Sequence, residues 1–477
     1  MSAGNETDGR WYEGITRYQW LVLLIASLGW IFDVFEGQIF VASMKDAMPA
    51  LVDPAELVSF PLSFFLHLPE SLTSAERLER IVALYNNVAL ASFLIGGAVG
   101  GILFGMVSDR IGRTKTMILT ILMYSCFTCV TAFAHEWWHM VILRFLVAMG
   151  VGGEWAVASA MVAEVFPKKA RAWSLGIFHA SSVLGTYMAI LAGAFIVGNQ
   201  QLGDFGWRIG FAIGALPALL TLWIRWSLRE PEKWVKAREA AKEDSAQQTG
   251  RLLDLFAPGL RRNTLVGVSL ATVGLATFWG VHIYGRNLLR QSTEREYLAE
   301  LPDTATEQDR EAVLKEYSQP IKRSEMLGMF IVTTGGGLGL VCFGPICERI
   351  GRRGAFLLYH VGSLISSLVL FQLLAESAPQ VLWITLPVFG FLTVGMHAGY
   401  AIYFPELFPT RLRGTGGGFC FNGGRIFAAP ILILIGWMRG GLAMSLEDTV
   451  SILSLLFLLG AVVSLLGPET KGRELPT

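Results

Sequence analysis

The sequence predicts an all-α protein that crosses a lipid bilayer twelve times, as two related bundles of six helices. Three observations lead to this prediction. Two unrelated motifs recur half a chain apart, the composition is too apolar for water-soluble domains, and twelve apolar windows are each long enough to span a membrane.

Two motifs recur at almost the same offset in the 477-residue chain. The first copies are a glycine- and arginine-rich loop and the pattern Glu-x-x-Pro-x-x-x-Arg. The first motif comprises Gly105, Asp109, Arg110, Gly112 and Arg113, and it returns 239 residues later as Glu348, Arg349 and Arg352. The second motif joins Glu164 to Arg171, and it returns 242 residues later as Glu406 and Arg413. Two motifs repeated at nearly one offset indicate that one structural unit of about 200 residues occurs twice.

The composition points to a membrane. Hydrophobic residues make up 53% of the chain, charged residues only 16%, and the mean hydropathy is +0.50. The formal net charge is zero, so the overall charge gives no reason to expect a nucleic-acid partner. The five cysteines all fall in or beside apolar segments, which is not the pattern of a disulfide framework.

Twelve windows have the roughly 20 mostly apolar residues that a membrane-spanning helix needs. Their cores are residues 19–43, 84–107, 115–134, 138–165, 172–197, 207–228, 264–288, 325–346, 355–375, 381–404, 414–437 and 449–467. A charged stretch between the sixth and seventh windows predicts a linker. We therefore expect an N-terminal segment 1–17, a first bundle 18–228, a linker 229–262, a second bundle 263–468 and a tail 469–477.

Positive charges predict the orientation. Lys and Arg are concentrated in alternate short loops, which follow the second, fourth, eighth and tenth windows. Because positively charged loops stay in the cytoplasm, both termini are expected there. The longer segments 45–80 and 290–323 would then face outward.

The repeated loop and the twelve windows together resemble the major facilitator superfamily. The resemblance covers nearly the whole chain, although Thr114 stands where a second basic residue is usual. The run from Arg144 to Trp155 and the run from Pro405 to Thr415 are similar to its metabolite:proton symporter branch, which includes porters of sialic acid, lactate and aromatic acids. The resemblance implies a monomeric transporter in a bacterial plasma membrane. It also implies that the repeated loops gate the two bundles.

Charged residues inside the windows are candidates for the chemistry of transport. Asp33, Glu36, Arg144 and Glu154 have no charged counterpart at the offset of the repeat. Each costs about 2.5 to 3.5 kcal/mol at mid-membrane unless it is paired or hydrated. Asp33 and Glu36 are three residues apart, so they share a helix face and can share a proton. We predict proton coupling by all four residues; structural ion pairing and cation recognition are the alternatives.

A second set of side chains is predicted to bind the cargo. Arg425 lies about halfway into the eleventh window, and its planar fork suits a carboxylate. The other predicted cargo-binding residues are Asn422, His397, Tyr400, Trp279 and His282.

The sequence therefore predicts proton-coupled uptake of a small organic anion by alternating access. A sugar or organic-cation porter is the alternative within the superfamily, and a transport-inactive nutrient receptor is the alternative outside it. No nucleophile–base set, metal cluster or cofactor motif is visible, so we expect neither an enzyme nor a cofactor, and the proton is the expected coupling ion. The expected partners are a small-molecule cargo and the lipid bilayer.

Overall fold

The computed structural model describes residues 10–53, 73–197, 202–203, 205–244, 247–302, 304–438, 442 and 444–477. The first nine residues and residues 54–72, which belong to the predicted N-terminal segment and outward segment, lie outside this part of the chain. The described residues form helices joined by short turns, with no strand among them.

Among the described residues the first bundle contains eight α-helices, which make six crossings. The first four crossings are α1 Arg17–Ala47, α2 Ser74–Ile111, α3 Arg113–Thr131 and α4 Trp137–Val165. The fifth crossing is α5 Lys168–Ala180 with α6 Ser182–Ala192, and the sixth is α7 Phe205–Ile213 with α8 Ala218–Ser227. The predicted linker holds α9 Glu232–Glu243.

The second bundle repeats this plan. It contains α10 Arg261–Thr277, a π-helical turn Phe278–His282, α11 Ile283–Gly285, α12 Leu288–Leu298, α13 Glu307–Glu316, α14 Ser318–Leu368, α15 Pro379–Leu407, α16 Arg413–Ala428, α17 Pro430–Gly436, α18 Leu446–Ser454 and α19 Leu456–Leu466. Helices α12 and α13 lie in the predicted outward segment 290–323.

Ten helical segments among the described residues are long and apolar enough to cross a membrane. One of them, Ser318–Leu373, is 56 residues long and carries both the eighth and the ninth predicted crossings. It turns at Gly351, where φ is +85°, a value that side chains other than glycine rarely adopt. The eleventh window falls on α16 and α17, each too short to be counted alone. The fold is thus the predicted all-α arrangement of two six-helix bundles.

A third repeated feature appears in the structure. Glu230 accepts hydrogen bonds from the backbone N–H groups of Arg113 and Thr114, at 2.7 and 3.1 Å, and so caps the start of α3. Glu469, 239 residues later, accepts from the N–H groups of Arg352 and Arg353 at 3.0 and 3.1 Å. Each carboxylate satisfies N–H groups that have no partner within the helix. The linker and the tail therefore play equivalent roles in the two halves.

Glycine allows the two bundles to approach closely through α2. A Cβ at Gly100 would lie 2.0 Å from the backbone oxygen of Met149 in α4, and a Cβ at Gly105 would lie 2.5 Å from that of Gly414 in α16. Helix α2 therefore packs between a helix of its own bundle and a helix of the other. Close packing of small residues is the usual basis of helix association in lipid, where the hydrophobic effect contributes little.

Candidate functional site

A cavity of about 320 Å³ lies between the two bundles. Its walls come from α1, α2, α4, α5 and α6 on one side and from α10, α14, α15 and α16, with the π-helical turn, on the other. The ionisable side chains that line it are Asp33, His179, His282, Arg286, His397 and Arg425. The aromatic side chains that line it are Trp30, Phe93, Phe278, Trp279 and Phe421. An apolar cavity with a few polar groups is the usual form of a small-molecule site.

Arg425 is a cation in this cavity that no carboxylate holds. Its guanidinium carbon lies 5.2 Å from the ring centre of Phe421, and a Cβ at Gly97 of α2 would lie 2.7 Å from its Nη1 atom. Within the part of the chain that the structure describes, the Arg425 side chain makes neither a hydrogen bond nor a salt bridge. Its donors therefore remain available to a bound group.

Asp33 is the cavity carboxylate, and its two buried oxygens lie close to the hydroxyl of Tyr124 without a hydrogen bond of good geometry. Asp33 interacts electrostatically with Glu154, Glu36 and Arg425. Glu154 accepts a hydrogen bond from Thr120 at 2.6 Å, while its Oε1 atom is unpartnered and would lie 2.9 Å from a Cβ at Gly29. Because Gly29 and Asp33 are one turn apart on α1, the two carboxyl groups face the same region.

Glu36 has a different environment from Asp33, although the two share α1. It forms a buried salt bridge with Arg144 and accepts a hydrogen bond from Thr128 at 3.0 Å. Arg144 also donates to Thr131 at 2.9 Å, and neither Glu36 nor Arg144 lines the cavity. Glu36 therefore has Arg144 as its salt-bridge partner, because Arg144 lies on the α4 face that meets Glu36, while its charge still acts on Asp33. Proton sharing between Asp33 and Glu36 stays a prediction.

Four of the six predicted cargo-binding residues line the cavity, namely Arg425, His397, Trp279 and His282. Tyr400 and Asn422 do not. The Tyr400 hydroxyl donates to the backbone oxygen of Leu270 at 3.1 Å, and the Asn422 amide packs so tightly on Gly101 that a Cβ there would lie 1.8 Å from Nδ2. Both side chains lie at the predicted depth in the membrane, but each packs against a neighbouring helix instead of lining the cavity.

The sequence analysis missed Arg286 and His179 in the cavity lining. Arg286 follows His282 by four residues, so one helix face presents both side chains, and this spacing was the available signal. His179 accepts a hydrogen bond at Nδ1 from Trp155 at 3.2 Å, while its backbone oxygen accepts one from Trp30 at 3.3 Å. Nothing in its local sequence indicated that it faces the cavity.

Asp109 joins the two bundles at the end that carries the repeated loops. Its carboxylate accepts hydrogen bonds from the backbone N–H groups of Gly414 and Thr415, at 3.0 and 2.8 Å, and from the Thr415 hydroxyl at 2.6 Å. It also forms a salt bridge with Arg113, four residues later in the chain. A carboxylate at the first turn of α16 is stabilised by the unpaired N–H groups and the helix dipole.

Glu164 forms the second contact between the bundles. Its carboxylate binds Arg113 of its own bundle at 2.8 Å and Arg413 of the other bundle at 2.7 Å. Arg110 donates to the backbone oxygen of Gly250 at 3.1 Å, which ties the loop to the linker. Arg171 is held by the backbone oxygen of Ala163 at 3.1 Å.

The second copy of the network stays within its own bundle. Arg352 pairs with Glu406 at 2.7 Å and with Glu348 at 2.8 Å. Glu348 is 29% exposed, whereas Asp109 is fully buried. Among the described residues Glu348 forms a salt bridge with Arg352 alone. Burial acts to raise the pKa of Glu469, but hydrogen bonds from backbone N–H groups outweigh it and hold that pKa below its ordinary value.

Comparison with known protein families identifies the family of this chain. The family model of the Major Facilitator Superfamily matches residues 80–429. The chain belongs to this superfamily. It is a multi-pass membrane transporter rather than an enzyme.

Two relatives and one solved structure illustrate what the transporter is similar to. The cis,cis-muconate transport protein of Acinetobacter baylyi is 28% identical over 355 residues, covering 74% of this chain and 78% of the relative. The sialic acid transporter NanX of Escherichia coli is 27% identical, covering 88% of each chain. The proton:xylose symporter XylE has a TM-score of 0.68 at 18% identity, covering 96% of this chain and 98% of that one, which supports the fold alone.

Proposed function

We propose that this transporter carries a small organic anion together with a proton. The observation that carries the proposal is Arg425, a cation at the cavity wall whose side chain forms no salt bridge within the described structure. An arginine presents two parallel N–H donors that match the two oxygens of a carboxylate. The aromatic side chains around it supply an apolar surface for the rest of an organic acid.

The relatives support an acid as the cargo. Two of them are named as transporters of muconate and of sialic acid, and both compounds carry carboxylate groups. A cavity of about 320 Å³ accommodates a molecule of that class. For comparison, an engineered apolar cavity of about 150 Å³ binds benzene.

Asp33 is the proposed coupling site. While Asp33 is ionised, its charge competes with cargo for Arg425, since the two side chains interact electrostatically. Protonation of Asp33 removes this competition and leaves the guanidinium free for a carboxylate. Glu154, with one oxygen unpartnered, is the proposed second proton carrier, whereas Glu36 and Arg144 hold α1 against α4.

In the proposed scheme one monoanion enters with one proton. The pair carries no net charge, so accumulation draws on the pH gradient, which supplies about 1.4 kcal/mol per pH unit. In this scheme the empty carrier returns with Asp33 ionised and close to Arg425. Cargo and proton are therefore bound together or released together.

Alternating access is proposed to use the contacts of Asp109 and Glu164 as latches. Both carboxylates bind residues of the opposite bundle, so these bonds must break before the cavity opens at that end. The positive-inside rule assigns this end to the cytoplasm and puts both termini there. Both bundles that line the cavity come from one chain, which supports a functional monomer.

A binding screen against purified protein tests the proposal. Carboxylates, neutral sugars and organic amines are each titrated while the fluorescence of Trp30 and Trp279, which line the cavity, is followed. We expect saturable quenching by carboxylates that Arg425→Gln abolishes. Saturable binding of a sugar or an amine, with no carboxylate binding, would refute an organic anion as the cargo.

A further inference from the structure

Three polar atoms on one wall of the cavity lack partners. They are Nε2 of His282, Nε of Arg286 and Oγ1 of Thr333, all buried and all without a hydrogen bond within the described chain. All three side chains line the same cavity as Arg425. His282 ends the π-helical turn after α10, Arg286 follows α11, and Thr333 belongs to α14. A buried polar group left without a partner costs about 1 to 3 kcal/mol. Three of them together indicate a place where a polar group of the cargo binds.

The hydrogen bonds around His282 assign the protons on its ring. The Thr393 hydroxyl donates to the backbone oxygen of Phe389 at 2.7 Å, which uses its only proton. We assign the 2.8 Å contact between Thr393 Oγ1 and His282 Nδ1 to donation by the histidine, because this tautomer keeps both hydrogen bonds of the Thr393 hydroxyl. Neutral His282 therefore carries its proton on Nδ1, and its Nε2 atom presents a lone pair to the cavity.

Packing fixes the direction of this lone pair. The His282 ring is stacked between Phe278, with ring centres 5.1 Å apart, and Phe389, at 5.8 Å. Arg286 lies four residues further along, and its guanidinium carbon is 5.7 Å from the centre of the Phe278 ring. The wall thus presents an acceptor at His282 beside a donor at Arg286, with the Thr333 hydroxyl able to serve as either.

We propose that His282, Arg286 and Thr333 form a subsite for a hydroxyl group, so that the cargo is a hydroxylated organic acid. This inference rests on the proposed binding of a carboxylate by Arg425. A hydroxyl donates its proton to Nε2 of His282 and accepts a hydrogen bond from Arg286, which satisfies both atoms. A second carboxylate has no proton to donate and would face the lone pair of His282.

The separation of the two sites constrains the shape of the cargo. Helices α10 and α16 begin at the same end of the molecule, since Asn263 donates to the backbone oxygen of Leu407 at the end of α15. Counted from those starts, His282 lies nine residues deeper than Arg425, or about 13 Å along the helices. The Arg425 guanidinium lies over the ring of Phe421, one turn nearer the start of α16, so its side chain does not close this gap. The cargo must therefore carry its carboxylate and its hydroxyl at opposite ends.

Matched pairs of acids test the subsite. Benzoate is compared with 4-hydroxybenzoate, and cyclohexanecarboxylate with 4-hydroxycyclohexanecarboxylate, by isothermal titration of the full-length protein. Terephthalate, which replaces the hydroxyl with a second carboxylate, is titrated alongside. We expect the hydroxylated member of at least one pair to bind about 10- to 100-fold more tightly, the effect of hydrogen bonds to groups that are otherwise buried and unpaired.

Three variants test whether the preference for the hydroxylated acid comes from this subsite. His282→Phe keeps a ring between Phe278 and Phe389 but removes the acceptor, and it should make the two members of the pair bind equally. Thr393→Val removes only the group that fixes the His282 ring proton, and it should reduce the preference while leaving the ring in place. His135→Phe, at an exposed position outside the cavity, is the matched control and should keep the wild-type preference.

The outcomes separate the subsite from the anion proposal. Equal, measurable affinities within both pairs would overturn the subsite and leave carboxylate binding by Arg425 standing. Absence of binding by every acid would overturn both. Tighter binding of terephthalate than of 4-hydroxybenzoate, lost in Arg286→Gln, would show that the wall recognises a second carboxylate instead.

Discussion

Replacing Asp109 with asparagine should shift the transporter toward the conformation that is open at the end carrying the repeated loops. The Asp109 carboxylate accepts three hydrogen bonds from the first turn of α16, in the opposite bundle. In the proposed mechanism these contacts exist only while that end is closed. Asparagine has almost the same shape, so the substitution removes the charge without leaving a cavity.

The size of the shift can be worked out from these contacts. The charge–dipole interaction at a helix start contributes about 0.3 to 1 kcal/mol, and up to about 2 kcal/mol when partly buried. Each hydrogen bond to a charged acceptor exceeds a neutral one by about 1 kcal/mol. Arg113 keeps its second partner, Glu164, so no cation is left unpaired. Both contributions arise from the same carboxylate charge, so they overlap and are not added in full. We expect a loss of about 2 to 3 kcal/mol, which shifts the conformational equilibrium about 30- to 150-fold.

Cysteine accessibility measures the shift. The five native cysteines, all free, are first replaced. One reporter is then placed at Ser182, which lines the cavity, and another at Ser174, which is buried near the start of α5. In Asp109→Asn the Ser174 reporter should react faster with a membrane-impermeant reagent on the side of the repeated loops, and the Ser182 reporter should react more slowly from the opposite side.

Glu348→Gln is the matched control, because Glu348 is the counterpart of Asp109 in the second copy and forms its salt bridge with Arg352 of its own bundle. It should leave both reporters close to their wild-type rates. An unchanged pattern in Asp109→Asn, with a shift in Glu348→Gln, would show that the latch belongs to the other copy of the loop.

Three further predictions concern stability and cargo binding. Glu36→Gln should lower stability by about 3 to 5 kcal/mol, because Arg144 is left buried and unpaired; thermal unfolding in detergent would show this, and adding Arg144→Met should restore part of the loss. Arg425→Lys should weaken carboxylate binding about 10- to 100-fold in calorimetric titrations, since an ammonium lacks the paired donors. The depressed pKa of Glu469 stabilises the fold above the ordinary glutamate pKa of about 4.3 and loses this effect as the pH falls through the depressed value. Thermal unfolding of Glu469→Gln should therefore depend less on pH below about 5 than that of the wild type.

The sequence predicted the crossings and the repeated loops because these depend on local patterns. Length and apolarity locate a spanning helix, and a motif repeated at one offset locates equivalent turns.

Side-chain direction could not be predicted in the same way. The spacing of Asp33 and Glu36 places both on one face, but only the packing of α4 shows that Arg144 meets Glu36 and leaves Asp33 to the cavity. Asn422 and Tyr400 lie at suitable depths yet face neighbouring helices. In apolar helices surrounded by others, polar periodicity no longer marks the face that lines a cavity.

Proton movement in proteoliposomes tests the central claim most directly. The tightest-binding carboxylate of the screen is added outside vesicles that contain a pH-sensitive dye, and internal pH and labelled cargo are followed together. The account predicts that the wild type acidifies the interior as cargo enters. It predicts that Asp33→Asn exchanges cargo without moving protons. Cargo accumulation with no change in internal pH, or acidification by Asp33→Asn at the wild-type rate, would contradict proton coupling through Asp33.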